Sequence, residues 1–136
     1  INLKINLLKH IEDIYILGDE DKIAQVFDNL IQNAASFSKE NNFINIRIEK
    51  NLENVTITVE DNGPGFSKGS LKKVFDRFYT DRPKNETFGN HSGLGLSISK
   101  QIVEAHGGSI EALNRLSQKN ECLGGSVKVT FLEIKT

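Results

Sequence analysis

The sequence is poor in the residues that make covalent or metal-held frameworks: it contains one cysteine, Cys122, and no methionine among 136 residues. A single thiol excludes an internal disulfide and any multi-cysteine metal site, and it suits a protein of the reducing cytosol. No apolar run approaches the roughly 20 residues that a membrane-spanning helix needs, and no signal peptide opens the chain. Because a chain without methionine lacks its own initiating residue, we expect it to be a piece of a longer protein.

An excess of either charge is also missing. Lysine and arginine number 17 and aspartate and glutamate 18, which gives a net charge of −1. Without a basic field the chain has no electrostatic means of attracting nucleic acid or an acidic membrane. The 38% of hydrophobic and 26% of charged residues are ordinary for a soluble globular protein, and the length fits one domain. We therefore expect one soluble domain that binds no nucleic acid.

The spacing of apolar residues predicts the order of the secondary structure. The strongest helical pattern covers residues 21–37, and Asp19 is placed to cap that helix. Residues 1–12 form either a linker remnant or a first strand. The other predicted elements are strands over 13–17, 44–48, 55–59, 110–113 and 127–134, and a helix over 93–106 that Gly107-Gly108 ends. This order predicts one mixed sheet backed by helices on one face.

A pair of amides lies on the long predicted helix. Asn29 and Asn33 are four residues apart and therefore share one helix face, which Gln25 and Ser36 extend. The carbonyl oxygen of an asparagine side chain is a hard ligand that suits Mg²⁺ in a phosphate site. By themselves, these amides are better explained as a polar face that merely meets solvent.

A tight turn follows the strand predicted over 55–59, in the sequence Asp61-Asn62-Gly63-Pro64-Gly65-Phe66. Glycines on both sides of a proline let the backbone approach a ligand closely. Asp61 can accept a hydrogen bond from an amino group such as that of adenine. The alternative is a turn that binds nothing.

A further glycine-rich segment, residues 89–96, leads into the second predicted helix, whose N-terminus would bind phosphate oxygens. It is not a Rossmann fingerprint, because the third glycine and the βαβ unit are missing, and it lacks the Gly-Lys-Ser/Thr of a Walker A loop. Residues 75–82 combine three aromatic residues with two arginines. That composition is typical of a lid that offers cations to phosphate, although an amphipathic turn with solvated charges explains it too.

The joint order of these motifs is more specific than any one of them. Asn29 and Asn33, Asp61-x-Gly-x-Gly, Phe75-x-Arg-Phe and Gly93-x-Gly95 resemble the N, G1, F and G2 boxes of sensor histidine kinases. The resemblance covers residues 13–136 as one ATP-binding catalytic domain, and residues 75–115 further resemble kinases of the ChvG type from alphaproteobacteria. It implies the Bergerat ATP-binding fold, an α+β two-layer α/β sandwich with an ATP lid, and a protein-histidine kinase that uses ATP and Mg²⁺.

The resemblance also implies a role for each matching residue. Asn33 would bind Mg²⁺ and Asn29 would help to arrange the phosphates; together with Arg77 they are the candidate catalytic residues. Asp61 would bind the adenine amino group, and Ser126 would support that aspartate through water. The other expected nucleotide-binding residues are Phe37, Gly63, Gly65, Phe66, Arg82, His91, Ser92, Gly93, Leu94, Gly95 and Leu96.

Two positions bear on which activity to expect. Three residues after Asn33 the family often carries a basic residue, whereas this chain has Ser36, which puts its phosphate affinity in doubt. Related ATPases such as DNA gyrase place a glutamate four residues before the metal-binding asparagine, where this chain has Asn29, an amide with no useful basicity. Neutral imidazole needs no strong base near pH 7, so Asn29 favours transfer to histidine over hydrolysis. A nucleotide-sensing pseudokinase and an ATPase of the gyrase or chaperone type are the alternatives.

The resemblance places the acceptor histidine outside this chain, because none of its three histidines has the setting of an acceptor helix. The acceptor would lie on the helical dimerisation domain of the same kinase, and a response regulator would be the downstream partner. We expect the chain itself to be monomeric and to lie on the cytoplasmic side, with its parent anchored in the inner membrane.

Overall fold

The computed structural model describes residues 4–8, 14–37, 43–67, 69–76 and 95–134. The elements follow one another as strand, helix, two strands, helix, two strands, which is the predicted order. The strands are β1 (Lys4–Leu8), β2 (Phe43–Asn51), β3 (Asn54–Asp61), β4 (Ser109–Leu116) and β5 (Cys122–Leu132), and the helices are α1 (Glu20–Phe37) and α2 (Gly95–Ala105). The α+β class is confirmed.

The five strands form one mixed sheet in the order β1-β2-β3-β5-β4. The edge strand β1 runs parallel to β2, and all other neighbours are antiparallel. The two hairpins, β2–β3 and β4–β5, follow from the alternation of apolar and polar residues in their sequences. Because β3 and β5 are antiparallel neighbours, with Glu60 opposite Ser126, the segment that follows β3 lies beside the start of β5.

Helix α1 begins where its sequence provides a cap. The Asp19 carboxylate accepts a hydrogen bond from the Lys22 backbone N–H at 3.2 Å, which satisfies one of the free donors of the first turn. Val26, Leu30 and Ala34 recur every four residues and are all buried. The predicted helix and its cap are confirmed, and the buried stripe fixes which side of α1 remains available for a site.

Both helices pack on one face of the sheet, and the core lies between the two layers. Valines of β3 and β5 meet the buried residues of the helices there, and burying each such side chain contributes about 1.5–3 kcal/mol. The core residues are Val26, Leu30, Ala34, Ile44, Val59, Phe66, Val74, Ile102, Val103, Ala112, Val127, Val129 and Phe131. The predicted two-layer sandwich is confirmed.

The strand predicted over 13–17 is wrong for residues 14–17, the part of that segment that the structure describes. Residues 14–17 lie outside the sheet, where the Tyr15 carbonyl accepts one hydrogen bond from the Ile134 N–H at 2.9 Å. The position beside β2 is taken by Lys4–Leu8, with Ile5 paired to Ile44. A β-branched and aromatic composition shows that a segment fits a half-buried surface, but a strand also needs a neighbouring strand for its backbone hydrogen bonds.

Helix α2 ends as its sequence predicts. Gly107 has a φ of +76°, its N–H donates to the Glu104 carbonyl, and the Gly108 N–H donates to the Val103 carbonyl. These two bonds form a Schellman motif, which requires a residue in the left-handed region. Within the described ranges no helix is both long and apolar enough to cross a membrane.

Candidate nucleotide-binding site

Asp61, the last residue of β3, is the centre of the candidate site. Its side chain is buried, with 5% of the residue exposed. Oδ1 accepts two backbone hydrogen bonds, from Gly63 N–H at 2.8 Å and from Gly125 N–H at 3.1 Å. Oδ2 accepts none from the described residues. One carboxylate oxygen therefore fixes the side chain and the other remains available to a ligand.

Burial raises the pKa of the Asp61 carboxyl above its ordinary value, because desolvation disfavours the charged form. The hydrogen bonds from Gly125 and Gly63 and the positive charge of Arg115 act in the opposite direction, without cancelling the effect of burial. In its ionised form Asp61 can only accept hydrogen bonds. It is therefore suited to bind an amino group, such as that of a purine.

The turn after Asp61 needs its glycines. Gly63 supplies the first backbone donor to the carboxylate. Gly65 has a φ of +80°, and a Cβ there would lie 2.5 Å from Cys122 Sγ and 2.7 Å from Asn114 Oδ1. No other residue fits that position. The structure brings Gly63 and Gly65 to Asp61, as predicted, and shows that they shape the turn.

Phe66 ends the turn in the core and not in an open cleft. It is 7% exposed and belongs to the core cluster. A Cβ at Gly125 would lie 3.1 Å from Phe66 Cε2 and 3.4 Å from Asp61 Oδ2. Phe66 anchors the turn beneath Gly125, and its expected contact with the nucleotide stays a prediction.

The start of β5 lies against the same turn. A Cβ at Gly124 would overlap the carbonyl oxygen of Asp61, so β5 reaches the turn only because this residue is glycine. Ser126 is not brought to the carboxylate: it pairs with Glu60, and alternation along a strand puts that pair on the opposite face from Asp61. The β5 residue that contacts the carboxylate directly is Gly125, and the water-mediated role expected of Ser126 stays a prediction.

Two residues of β4 hold the turn, and sequence reasoning missed both. The Asn114 side chain accepts from Phe66 N–H at 2.7 Å and donates to the Phe66 carbonyl at 2.8 Å. Arg115 Nη2 donates to the Asp61 carbonyl at 2.6 Å and to the Leu123 carbonyl at 3.2 Å. No local motif marks these residues, since their partners on the turn are 48 and 54 positions away in sequence.

The amides of α1 fall into two different settings. Asn29 Nδ2 lies 3.3 Å from the Gly95 carbonyl and 3.4 Å from Ser99 Oγ, so this side chain joins α1 to the first turn of α2. Asn33 is half-buried, and its side chain makes no hydrogen bond with the described residues. The hydroxyl of Ser36 donates back to the Asn33 carbonyl at 2.7 Å. Of the two asparagines, Asn33 is therefore the one whose side-chain amide is available to a ligand.

Several predicted residues lie outside the described part of the chain. They are Arg77, Arg82, His91, Ser92, Gly93 and Leu94, together with the side chain of Phe37. Their expected roles stay predictions, as does the lid. Gly95 begins α2 beside Asn29, where a Cβ would lie 3.9 Å from Asn29 Cγ. Leu96 is partly buried and packs on the core.

Known proteins share this fold and these motifs. The profile described as histidine kinase-, DNA gyrase B- and HSP90-like ATPase matches residues 18–135. The chain is 51% identical to sensor protein ChvG of Agrobacterium fabrum over 98 residues, and 45% identical to sensor histidine kinase WalK of Bacillus subtilis over 103 residues. These alignments take in 71% and 74% of this chain.

Among solved structures, the catalytic domain of histidine kinase ThkA is similar with a TM-score of 0.77 at 28% identity. The match covers 96% of this chain and 79% of that domain. ThkA has also been solved in complex with response regulator protein TrrA.

The chain therefore belongs to the histidine kinase-, DNA gyrase B- and HSP90-like ATPase family, and it is an ATP-binding domain of the kind found in sensor histidine kinases. The resemblance seen in the order of the four boxes, including that to ChvG-type kinases, is confirmed. The chain spans 16% of the length of the ChvG relative and 17% of that of WalK.

Proposed function

We propose that this chain is the catalytic domain of a two-component sensor kinase and transfers the γ-phosphoryl group of ATP to a histidine on a separate helical domain. The observation that supports this most directly is the buried Asp61, which has one oxygen fixed by two backbone N–H groups and the other available. A site with one oriented acceptor binds a base that presents an amino group there. The sequence identity to the sensor kinases ChvG and WalK supports phosphoryl transfer as the reaction that takes place at that site.

Mg²⁺ fits the side chains that the site offers. The available amide of Asn33 supplies a hard oxygen ligand from a rigid helix, and Mg²⁺ typically takes one or two such ligands and completes its shell with phosphates and water. The metal would neutralise charge on the transferring phosphoryl group. The protein itself would hold the phosphates in line with the incoming imidazole.

Asn29 favours a kinase over a hydrolase. Its amide nitrogen is committed to the Gly95 carbonyl and to Ser99 Oγ, and an amide cannot take a proton from water. Phosphoryl transfer depends chiefly on positioning and charge stabilisation, and neutral imidazole attacks without a general base. Asn29 would contribute by fixing the first turn of α2, next to the segment expected to wrap the phosphates.

The partners follow from the same proposal. The acceptor would be the dimerisation and phosphoacceptor domain of the same kinase, and the next acceptor a response regulator, the class of protein with which ThkA has been solved in complex. The chain would act as a monomeric unit on the cytoplasmic side of a kinase anchored in the inner membrane. Arg77 and Arg82 would supply the lid cations that compensate for Ser36.

Transfer of label distinguishes the possible activities. The chain would be mixed with the histidine-bearing helical domain of its kinase, Mg²⁺ and ATP labelled at the γ-phosphate. We expect acid-labile label on the helical domain and little transfer when that domain is left out. Release of free phosphate without a labelled partner would show an ATPase, and bound, unchanged ATP would show a sensor; either result contradicts the proposal.

The role of Asn33 is tested in the same reaction. Asn33→Ala should lower transfer at least about tenfold, the loss of roughly 1.4 kcal/mol of transition-state stabilisation. Gln32→Ala, at an exposed neighbouring position on α1, is the matched control and should transfer normally. Equal activity of the two variants would remove Asn33 from the metal site.

A further inference from the structure

We propose that Asn114 and Arg115 are positioning residues that hold Asp61 in place and thereby set the preference of the site for adenine over other purines. We call this pair the β4 clamp. The inference rests on the proposed role of Asp61 in binding the adenine amino group. It concerns residues that touch the turn and not the nucleotide.

Asn114 closes the far end of the turn. Its side-chain amide presents an acceptor and a donor side by side, and both bind the backbone of one residue, Phe66, at 2.7 and 2.8 Å. The contact pairs the backbone donor and the backbone acceptor of a residue that lies outside the strands. An ionised aspartate lacks the donor and leucine lacks both groups, while serine carries donor and acceptor on one oxygen and cannot present them side by side. The contact is therefore specific to a side-chain amide.

Arg115 fixes the near end of the turn. Its Nη2 bridges the Asp61 carbonyl and the Leu123 carbonyl, which ties the end of β3 to the β4–β5 hairpin. The bond to Asp61 is short, as expected for a charged donor. The same guanidinium lowers the pKa of the Asp61 carboxyl, and so it also favours the ionised form that an amino group requires.

The two contacts reach the turn from opposite sides. Successive side chains along a strand point to opposite faces of the sheet. Asn114 shares its face with the buried Ala112, and Arg115 shares its face with the exposed Leu113. Since Gly124 has no Cβ to separate β5 from Asp61, both side chains of β4 can reach the turn. The turn is therefore held at both ends and from both faces.

A clamp of this kind affects selectivity because hydrogen-bond discrimination depends on geometry. Adenine presents an amino donor to Asp61 Oδ2, whereas hypoxanthine presents a carbonyl oxygen that would face the carboxylate. A site built around a hydrogen bond rejects a ligand that leaves its buried group unpaired. That rejection weakens if Asp61 can move away from the base, so loss of the clamp should cost ATP affinity more than inosine triphosphate affinity.

The test measures the dissociation constants of Mg²⁺–ATP and Mg²⁺–inosine triphosphate by calorimetry for the unaltered chain, Asn114→Ala and Arg115→Ala. The expected result is that each variant binds ATP about tenfold more weakly, which corresponds to roughly 1.4 kcal/mol, while inosine triphosphate binding changes little. Arg115→Lys, which keeps the charge and one donor, should recover part of the selectivity. Gln118→Ala and Lys128→Ala, at other positions of the same hairpin, should behave as the unaltered chain.

A merely structural role would give a different pattern. The inference is wrong if the clamp variants lose affinity for both nucleotides by the same factor, because the ratio of the two dissociation constants is then unchanged. Should Asn114→Ala fail to fold, Asn114→Asp, which keeps the acceptor for Phe66 N–H, gives the same comparison. Failure of the unaltered chain to bind ATP would overturn the proposed function as well, whereas ATP binding with an unchanged ratio would overturn the clamp alone.

The pH dependence offers a second readout. Removing the Arg115 charge should raise the pKa of Asp61 further, so the midpoint at which acid weakens ATP binding should move to higher pH in Arg115→Ala. Lys128→Ala removes a charge that pairs with Glu111 at 3.9 Å and should leave the midpoint unchanged. An equal midpoint in Arg115→Ala and in the unaltered chain would contradict the electrostatic part of the proposal.

Discussion

Asp61 shows how a single residue can carry recognition at a cost to stability. Its charged form is the one that accepts a hydrogen bond from an amino group, yet burial raises its pKa and so disfavours that form. The two backbone N–H groups on Oδ1 offset part of this cost without removing it. Conflict between stability and function is common at binding sites, and here both effects can be measured by replacing one side chain, that of Asp61.

Asp61→Asn should separate the two effects. The asparagine Oδ1 can keep both backbone hydrogen bonds and carries no charge to desolvate, so the free energy of unfolding at neutral pH should rise. Its amino group would face that of adenine, so ATP affinity should fall about tenfold to a hundredfold, the value of a charged hydrogen bond of roughly 1.5–3 kcal/mol. Urea unfolding and calorimetry measure the two quantities on the same samples.

The sign of the pH dependence provides the check on Asp61→Asn. Because the folded-state pKa of Asp61 is raised, the folded chain binds this proton more tightly than the unfolded chain. The penalty is full above the folded-state pKa and disappears as pH falls from that pKa to the unfolded-state value. The stability gap between Asp61→Asn and the unaltered chain should therefore close as pH falls through the pKa of Asp61, while ATP binding by the unaltered chain weakens. A gap that widens on acidification would contradict this account.

At the residue scale, the sequence predicted what is local and missed what is distant. Asp61, Gly63 and Gly65 belong to one turn, whose chemistry is visible in six consecutive residues. Asn114 and Arg115 meet that turn only after the sheet has formed. Gly125, whose N–H binds the Asp61 carboxylate, was also missed, because a backbone donor leaves no side-chain signal in the sequence.

At the scale of elements, polar side chains join the two helices at separate points. Asn29 connects α1 to the start of α2, and His106, just after α2, connects to the start of α1. His106 Nδ1 lies 2.7 Å from the Ile102 carbonyl, and the Asp19 N–H donates to Nε2 at 3.1 Å. Since a carbonyl only accepts and a backbone N–H only donates, these contacts require a neutral ring with its proton on Nδ1.

Replacing His106 should loosen this junction. His106→Ala removes both hydrogen bonds, and because each contributes about 0.5–1.5 kcal/mol, the free energy of unfolding should fall by about 1–3 kcal/mol. His106→Gln, whose carbonyl oxygen can accept from the Asp19 N–H, should recover roughly half of that loss. Glu104→Ala, at an exposed position on α2, is the control, and the junction has no energetic importance if His106→Ala is as stable as that variant in urea unfolding.

The elements that were predicted correctly have strong periodic signals or capping residues. Helix α1 has its cap at Asp19 and a buried stripe, and α2 has its terminal glycines. The error at residues 14–17 arose because the choice of edge strand is not a local property. Residues 4–8 pair in parallel with β2 across an intervening helix. Apolar and polar residues alternate over 1–7, which fits the first strand that was one of the two expectations for residues 1–12.

At the scale of the whole molecule, the site and the core are one packed unit. Phe66 belongs both to the turn after Asp61 and to the core between the layers, and Gly125 touches both that ring and the carboxylate. Side chains packed at crystal-like density transmit small displacements. Nucleotide binding should therefore be sensitive to packing beneath the turn, and less sensitive to equally large losses of packing elsewhere.

Thermal unfolding with and without ATP tests this coupling. At an ATP concentration about 100 times the dissociation constant, binding should add roughly 2.7 kcal/mol, or about 8 °C in Tm for a chain of this size. Phe66→Leu and Val103→Ala should both lower Tm without ATP, because each removes about 1–2 kcal/mol of buried contacts. Only Phe66→Leu should also reduce the ATP-induced rise, since Val103 is fully buried in α2 and is not part of the turn. An equal ATP-induced rise in both variants would show that the core supports the fold without tuning the site, and that the turn is held by its hydrogen bonds alone.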